Sequence, residues 1–257
     1  MKYKNKKLMF ELLVLFLAIQ LIGLAVGVHY FSNEFPYGIE APKGGNIAPV
    51  YFFGLILVAT AIFLLALKLN LRRVLLAWIF LAYVISMALT LSVVFGELPA
   101  ILIAITLLIL FYKERDEIVR QIVTILLFPG LASLFVPMFN IRTFWLVLAF
   151  VSIYDVVSVF WTKHMVTLVR SHESLGIIPG IVLKEKREKA VLGGGDIILP
   201  LIYSIILIRD FSLYISLTSV LLSSLAVVTI LLLGKRKQPY PAVPVISAFL
   251  LPTLLLI

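Results

Sequence analysis

Residues 143–163 read TFWLVLAFVSIYDVVSVFWTK, and this run decides the fold class. It carries a single charged residue, Asp155, before Lys163 closes it. An α-helix rises about 1.5 Å per residue, so a run of this length crosses a hydrocarbon core of about 30 Å. The stretch therefore predicts a transmembrane helix.

The rest of the chain repeats this pattern. Hydrophobic residues make up 62% of the 257 residues and charged residues 14%, whereas soluble domains average about 45–50% and about 25%. We predict an all-α fold, a polytopic transmembrane helical bundle of about nine spans that forms a single domain over residues 1–257. The predicted spans are 8–31, 49–67, 74–95, 97–112, 119–138, 143–163, 191–209, 211–233 and 240–257.

The basic residues predict how the chain is oriented. Nineteen Lys and Arg residues fall on the side of the N-terminus, and only Lys43, Arg142 and Arg209 fall on the other. The positive-inside rule then predicts a cytoplasmic N-terminus and, with an odd number of spans, an outside C-terminus. Because the basic residues sit in loops between spans, the net charge of +9 does not indicate a nucleic-acid partner. The absence of cysteine excludes disulfides, thiolate metal sites and a cysteine nucleophile.

Two segments depart from the simple pattern. The last span contains Pro244 and Pro252, so we expect it to be irregular. The one long hydrophilic connection, 164–190, lies on the cytoplasmic side and separates spans 1–6 (8–163) from spans 7–9 (191–257). Its apolar stretch 177–183 is compatible with a membrane-surface segment, a small strand or a solvated linker.

Two acidic residues lie well inside predicted spans. Asp155 precedes Lys163 by eight residues and Asp196 follows Lys189 by seven, which places them about 12 and 10 Å from the cytoplasmic face. An aspartate at the centre of a span costs about 2.5–3.5 kcal/mol on insertion scales and usually marks a functional site. Spans 6 and 7 run antiparallel, so we expect the two carboxyl groups to meet.

Two adjacent carboxyl groups cannot both ionise easily, so they share a proton. The anionic one can take a proton from water while that water attacks a peptide carbonyl, and the neutral one can donate to the developing oxyanion. This is aspartic protease chemistry. A structural pair or a proton relay, as in transporters, is the alternative at this stage.

The surrounding residues add to the protease interpretation. Asp196 ends the run Leu192-Gly193-Gly194-Gly195-Asp196, whose glycines allow close backbone approach by a helix or a substrate. Tyr154 precedes Asp155, and its hydroxyl could hydrogen-bond near the site. Residues 238–244 read QPYPAVP, and these prolines favour extended backbone and leave carbonyls without helical partners.

These residues resemble the presenilin and signal peptide peptidase family of intramembrane aspartyl proteases. Tyr154-Asp155 resembles the family's Y-D motif, residues 193–196 resemble its G-x-G-D motif, and residues 241–243 resemble its P-A-L motif, with Val243 in place of Leu. The three motifs fall in order on spans 6, 7 and 9. The short loop 164–190 resembles that of a compact microbial homologue of archaeal type.

The resemblance implies that Asp155 and Asp196 are catalytic and that no cofactor or metal is needed. It implies that an extended substrate pairs with residues 189–192 by strand addition. Expected partners are the lipid bilayer and transmembrane helical substrates with the N-terminus outside, without accessory subunits. The residues it places against the substrate are Tyr154, Leu192, Gly193, Gly195, Pro241, Ala242 and Val243.

Other membrane activities fit less well. His172-Glu173 is not followed by the x-x-H of a zinc protease, and no G-x-S-G run supports a serine nucleophile. Prepilin-type peptidases also use two aspartates and G-x-G-D, but a charged residue usually follows, whereas Ile197 follows here. A proton-coupled carrier would favour repeated halves, and none is found.

Overall fold

The structure is a computed structural model that describes residues 6–42, 44–45, 47–114, 116–160, 180–185, 188–233 and 240–257. Nine α-helices and one β-hairpin lie in these ranges, which confirms the predicted polytopic helical bundle. The helices are α1 (Lys6–Ser32), α2 (Ala48–Lys68), α3 (Arg72–Phe95), α4 (Glu97–Glu114), α5 (Glu117–Phe135), α6 (Ile141–Phe160), α7 (Gly194–Asp210), α8 (Leu213–Leu233) and α9 (Val243–Leu250).

Six helices are long and apolar enough to cross a membrane by themselves: α1, α2, α3, α5, α6 and α8. The other three are shorter or carry charge. Helix α4 has 18 residues with charges at both ends, and α7 has 17 residues. Helix α9 continues as a 3₁₀ turn, Leu251–Leu255, which contains Pro252. The irregular end predicted for the last span is thus present, because proline supplies no N–H to the α-helical ladder.

Helix α1 packs against α7 through two glycines that the sequence analysis did not single out. A Cβ on Gly23 would collide with the side chain of Leu201, and one on Gly27 would lie 2.6 Å from Ile205 Cγ2. Spaced four residues apart, the two glycines form the G-x-x-x-G pattern that lets membrane helices approach closely. This contact holds α7 on one side.

Helix α8 holds α7 on another side through buried serines. The hydroxyls of Ser204 and Ser219 lie 2.7 Å apart, and Ser216 donates to the Ser204 carbonyl at 2.7 Å. Lipid supplies no hydrophobic driving force between helices, so close packing and such hydrogen bonds hold them together.

The chain before α7 forms a hairpin. Strand β1 (Gly180–Glu185) pairs antiparallel with β2 (Glu188–Gly193), with Gly180 opposite Gly193. Of the three possibilities for 177–183, residues 180–183 adopt the strand, whereas 177–179 lie outside the described residues. The predicted start of span 7 at residue 191 is wrong by three residues, because 191–193 complete β2 and the helix begins at Gly194.

Two other predicted boundaries are the start of the last span and the end of span 6. The last span was expected from residue 240, but its helix begins at Val243, since the preceding prolines keep the backbone out of a helix. The final residues of predicted span 6, 161–163, and most of the loop 164–190 lie outside the described residues.

Candidate active site

Asp155 lies in the C-terminal half of α6, where it is 7% exposed. Its Oδ2 accepts a hydrogen bond from the backbone N–H of Val243 at 3.2 Å. The Ala242 N–H also bonds to this carboxyl group. Both amides belong to the beginning of α9, which has Ala242 as its N-cap.

The geometry explains why residues 241–243 can act through their backbone. The first N–H groups of a helix have no intrahelical partner, and the positive end of the helix dipole favours a carboxylate there. Helix α9 directs these free donors at Asp155. A contact made by main-chain atoms depends little on the side chain at position 243, so Val is compatible with it where the family motif has Leu.

Asp196 is the third residue of α7, and its carboxyl group turns back to the N–H of Gly193, the N-cap. This is one half of a capping box, in which an acidic side chain at the third helical position satisfies the N-cap amide. A Cβ on Gly193 would lie 3.1 Å from Asp196 Oδ2. Glycine therefore leaves room for the carboxyl group to fold back. Gly195 has open space where a Cβ would be.

The structure brings the two aspartates together. Helix α6 contacts α7, and the charges of Asp155 and Asp196 are close enough to act on each other. Asp155 is buried and Asp196 is half-buried. Each carboxyl group is thus held by amides at the beginning of a helix, α9 for Asp155 and α7 for Asp196.

Two predicted site residues make contacts with other parts of the bundle. The ring of Tyr154 packs edge-to-face against Phe53 of α2, with centroids 6.1 Å apart. Within the described part of the chain its hydroxyl has no hydrogen-bond partner. Leu192 is buried in β2 opposite Ile181, so its side chain belongs to the core.

An apolar groove of about 550 Å³ runs beside α6. Its lining comes from one face of α6 and the start of α9: Ser152, Ile153, Val156, Val157, Phe160 and Pro244. Asp155 lies between two of these residues in sequence. As for metals, no group of three or more His, Asp or Glu able to hold an ion occurs within the described ranges.

Sequence reasoning missed one polar residue at the site. Gln20 of α1 is completely buried, and its Nε2 donates to the carbonyl of Ile197, the residue after Asp196, at 3.0 Å. The signal was available, since Gln20 is an uncharged polar residue in the middle of span 1. Because its amide carries no charge, Gln20 does not stand out within an apolar span as the two aspartates do.

Comparisons with known proteins show the family and the fold of this chain. A family model described as "Signal-peptide peptidase, presenilin aspartyl protease" matches residues 13–251. A solved presenilin family intramembrane aspartate protease, in a C222 crystal form, is similar over 96% of this chain and 97% of its own, with a TM-score of 0.73 and 20% identity. A second structure, titled as the same kind of protease in a P2 form, gives 0.69 and 20% over 96% and 95%. No curated protein matches the sequence significantly.

Proposed function

The chain belongs to the signal-peptide peptidase and presenilin family of aspartyl proteases, and from that premise we propose that Asp155 and Asp196 are its catalytic pair. As a multi-pass membrane protein of this family, it is an intramembrane aspartyl protease. One observation carries the assignment to these two residues: α6 and α7 bring together two aspartates from the interior of the bundle, each bound by free helix amides.

The proposed reaction is hydrolysis of a peptide bond by water. The ionised carboxyl group takes a proton from the water, whose oxygen bonds to the peptide carbonyl carbon, while the neutral carboxyl group gives its proton to the carbonyl oxygen. The tetrahedral intermediate then breaks its C–N bond, with a proton passing to the leaving nitrogen. A carboxylic acid and an amine result, and the pair again holds one proton.

The backbone amides of α9 have a definite part in this scheme. They hold Asp155 in one orientation, so the pair is arranged before the substrate arrives, and such prior arrangement lowers the barrier. They also stabilise the ionised form of the carboxyl group. Residues 241–243 thus support catalysis in our proposal in addition to contacting the substrate.

The substrate is proposed to be a transmembrane helix that is locally extended at the scissile bond. Strand β2 supports this, because it pairs with β1 on one edge in the two-stranded sheet and leads directly into Gly193 and Asp196. An extended peptide could add to the other edge through main-chain hydrogen bonds. Tyr154, Gly195 and residues 241–243 would lie along its path.

The purified chain tests the assignment. Asp155→Asn and Asp196→Asn should each lower cleavage of a single-span peptide in liposomes by about a thousandfold or more, with folding intact. The double variant should be little worse than either single one, because members of a catalytic unit are not additive. Cleavage by the purified wild type would also show that no accessory subunit is required.

Asp116→Asn is the matched control. Asp116 is the N-cap of α5, where it accepts from the Ile118 N–H at 3.1 Å. Asparagine caps a helix about as well as aspartate, so this variant should keep wild-type activity. Substantial activity in Asp155→Asn or Asp196→Asn would refute the proposed pair.

We propose further that the chain is a single membrane domain with a cytoplasmic N-terminus and an outside C-terminus. The distribution of basic residues supports this orientation. Span 6 then runs from outside to inside, and a fixed polarity of the substrate relative to spans 6 and 7 predicts substrates with the N-terminus outside. A protease-accessibility assay should find a C-terminal tag outside, and type I substrates should be cleaved in preference to type II. An externally accessible N-terminal tag would contradict the proposed orientation.

A further inference from the structure

Gln20 makes a contact that links the first helix to the turn carrying Asp196. It lies on α1, is 0% exposed, and donates through Nε2 to the Ile197 carbonyl at 3.0 Å. Its Oε1 is buried without a hydrogen-bond partner among the described residues. The two residues are 177 positions apart in sequence, so the contact is purely tertiary.

The first turn of α7, which accepts the hydrogen bond from Gln20, lacks one of its own intrahelical hydrogen bonds. Pro200 lies inside α7, four residues after Asp196. In a helix, the N–H of residue 200 would bond to the carbonyl of residue 196, but proline has no N–H and its ring crowds that carbonyl. The first turn of α7 is therefore weakened at the aspartate, and an external donor on the adjacent carbonyl restrains it.

The packing of α1 against α7 keeps the Gln20 side chain opposite the Ile197 carbonyl. Gly23 and Gly27 follow Gln20 on the same face and contact Leu201 and Ile205, which follow Ile197 on α7. Glycine at both positions brings the two backbones close enough for the amide of Gln20 to reach the main chain of α7.

Packing alone does not account for a glutamine at this position. A buried amide oxygen without a donor is unfavourable, and an apolar side chain of similar shape would avoid it. Methionine would fill a similar volume. What methionine cannot supply is the N–H directed at the Ile197 carbonyl.

We propose that Gln20 is a positioning residue of the protease, which orients Asp196 by holding the peptide that follows it. The inference rests on the proposed catalytic pair, since the orientation of Asp196 affects turnover only if its carboxyl group takes part in the reaction. Gln20 touches neither the substrate nor the reacting atoms in this scheme. It acts through the backbone of α7.

The test uses the full chain in liposomes with an internally quenched single-span peptide. Gln20→Met should lower kcat by about tenfold to a hundredfold, as small misplacements of catalytic groups do, with KM changed less than about twofold. Gln20→Glu should recover turnover at acid pH, where a neutral carboxyl group keeps one O–H donor. At any pH high enough to ionise this buried group, its kcat relative to the wild type should fall, because an ionised carboxyl group cannot donate.

Thr90→Val serves as the structural control. Thr90 is buried between α3 and α5, where it donates to the Leu126 carbonyl at 2.6 Å and accepts from the Gly130 N–H at 2.8 Å. Losing these interhelical bonds should lower thermal stability without the selective fall in kcat.

The outcomes separate the two proposals. Wild-type kcat in Gln20→Met, or an equal fall in kcat in Thr90→Val, would overturn the positioning role. If Gln20→Met does not fold, Gln20→Glu decides alone at acid pH, where its kcat should lie within about twofold of the wild type. A fall of about tenfold or more there would overturn the positioning role. Activity in the Asp155→Asn or Asp196→Asn variants would instead refute the catalytic pair, whatever Gln20 does.

Discussion

The two helices that carry the aspartates differ in how they are held. In α7, every residue from Leu199 to Leu207 is buried, and α1, α5, α8 and α9 pack around the helix. In α6, the residues around Asp155 alternate between buried and exposed, with Ile153 and Phe160 more than 60% exposed. Helix α6 packs mainly against α2 and α9, and an apolar groove lies along its remaining face.

This difference indicates a division of roles between the two halves of the site. Asp196 belongs to the most enclosed helix of the bundle, where glycine contacts, serine hydrogen bonds and Gln20 restrain it. Asp155 belongs to a helix with one face that the described residues leave exposed, and the beginning of α9 holds its carboxyl group. Under the proposed function a helical substrate approaches from the bilayer, and the described residues leave one face of α6 uncovered.

Among the substitutions that test this difference between the two halves, the largest effect is expected where α9 holds Asp155. Pro241→Ala should lower kcat by about tenfold or more, because proline fixes the backbone that aims the Ala242 and Val243 amides at the carboxyl group. Thermal stability should change little, and Val243→Leu should be tolerated. Cleavage of a quenched single-span peptide and a thermal melt would measure both quantities.

Pro252→Ala is the matched control for this change. Pro252 lies in the 3₁₀ turn that follows α9, at the opposite end of that helix from Ala242 and Val243. The same substitution there should leave kcat near that of the wild type. A Pro241→Ala enzyme with full activity would remove residues 241–243 from the site.

A smaller effect, on stability, is expected at the contact between α1 and α7. Gly27→Ala places a methyl group 2.6 Å from Ile205 Cγ2 in the present packing. The two helices must separate or repack, which should destabilise the fold by about 1–3 kcal/mol. Thermal unfolding in detergent would detect the shift, and a melting temperature equal to that of the wild type would contradict tight enclosure of α7.

The smallest effect is expected on α2, beside α6. A Cβ on Gly54 meets nothing within 4 Å. Gly54→Ala should therefore leave stability unchanged or raise it by about 0.5–1 kcal/mol through the better helix propensity of alanine. Together with Gly27→Ala it forms a matched pair with opposite expected signs. Equal destabilisation by both would show that the two sides of the bundle are equally packed.

Much of the site was predictable because its chemistry violates the local pattern. An aspartate inside an apolar run stands out by composition, and helical rise predicts similar depths for Asp155 and Asp196. The prolines of residues 238–244 predicted a non-helical backbone before α9, and the described part of that stretch, residues 240–242, lies outside the helix. The hairpin was only one of three possibilities, because a strand depends on its partner and residues 180–183 carry no decisive period.

The sequence alone determined the membrane class and the helical bundle, and it singled out the two acidic candidates, because the length and charge of an apolar run are local properties. Only the tertiary structure decided what holds each carboxyl group. The Val243 amide lies 88 residues from Asp155, and Gln20 lies 177 residues from Ile197. A backbone N–H is the same in almost every residue type, so the sequence does not mark which one donates. Contacts between residues so far apart produce no repeating pattern in the sequence, and only the packing of α1, α7 and α9 reveals them.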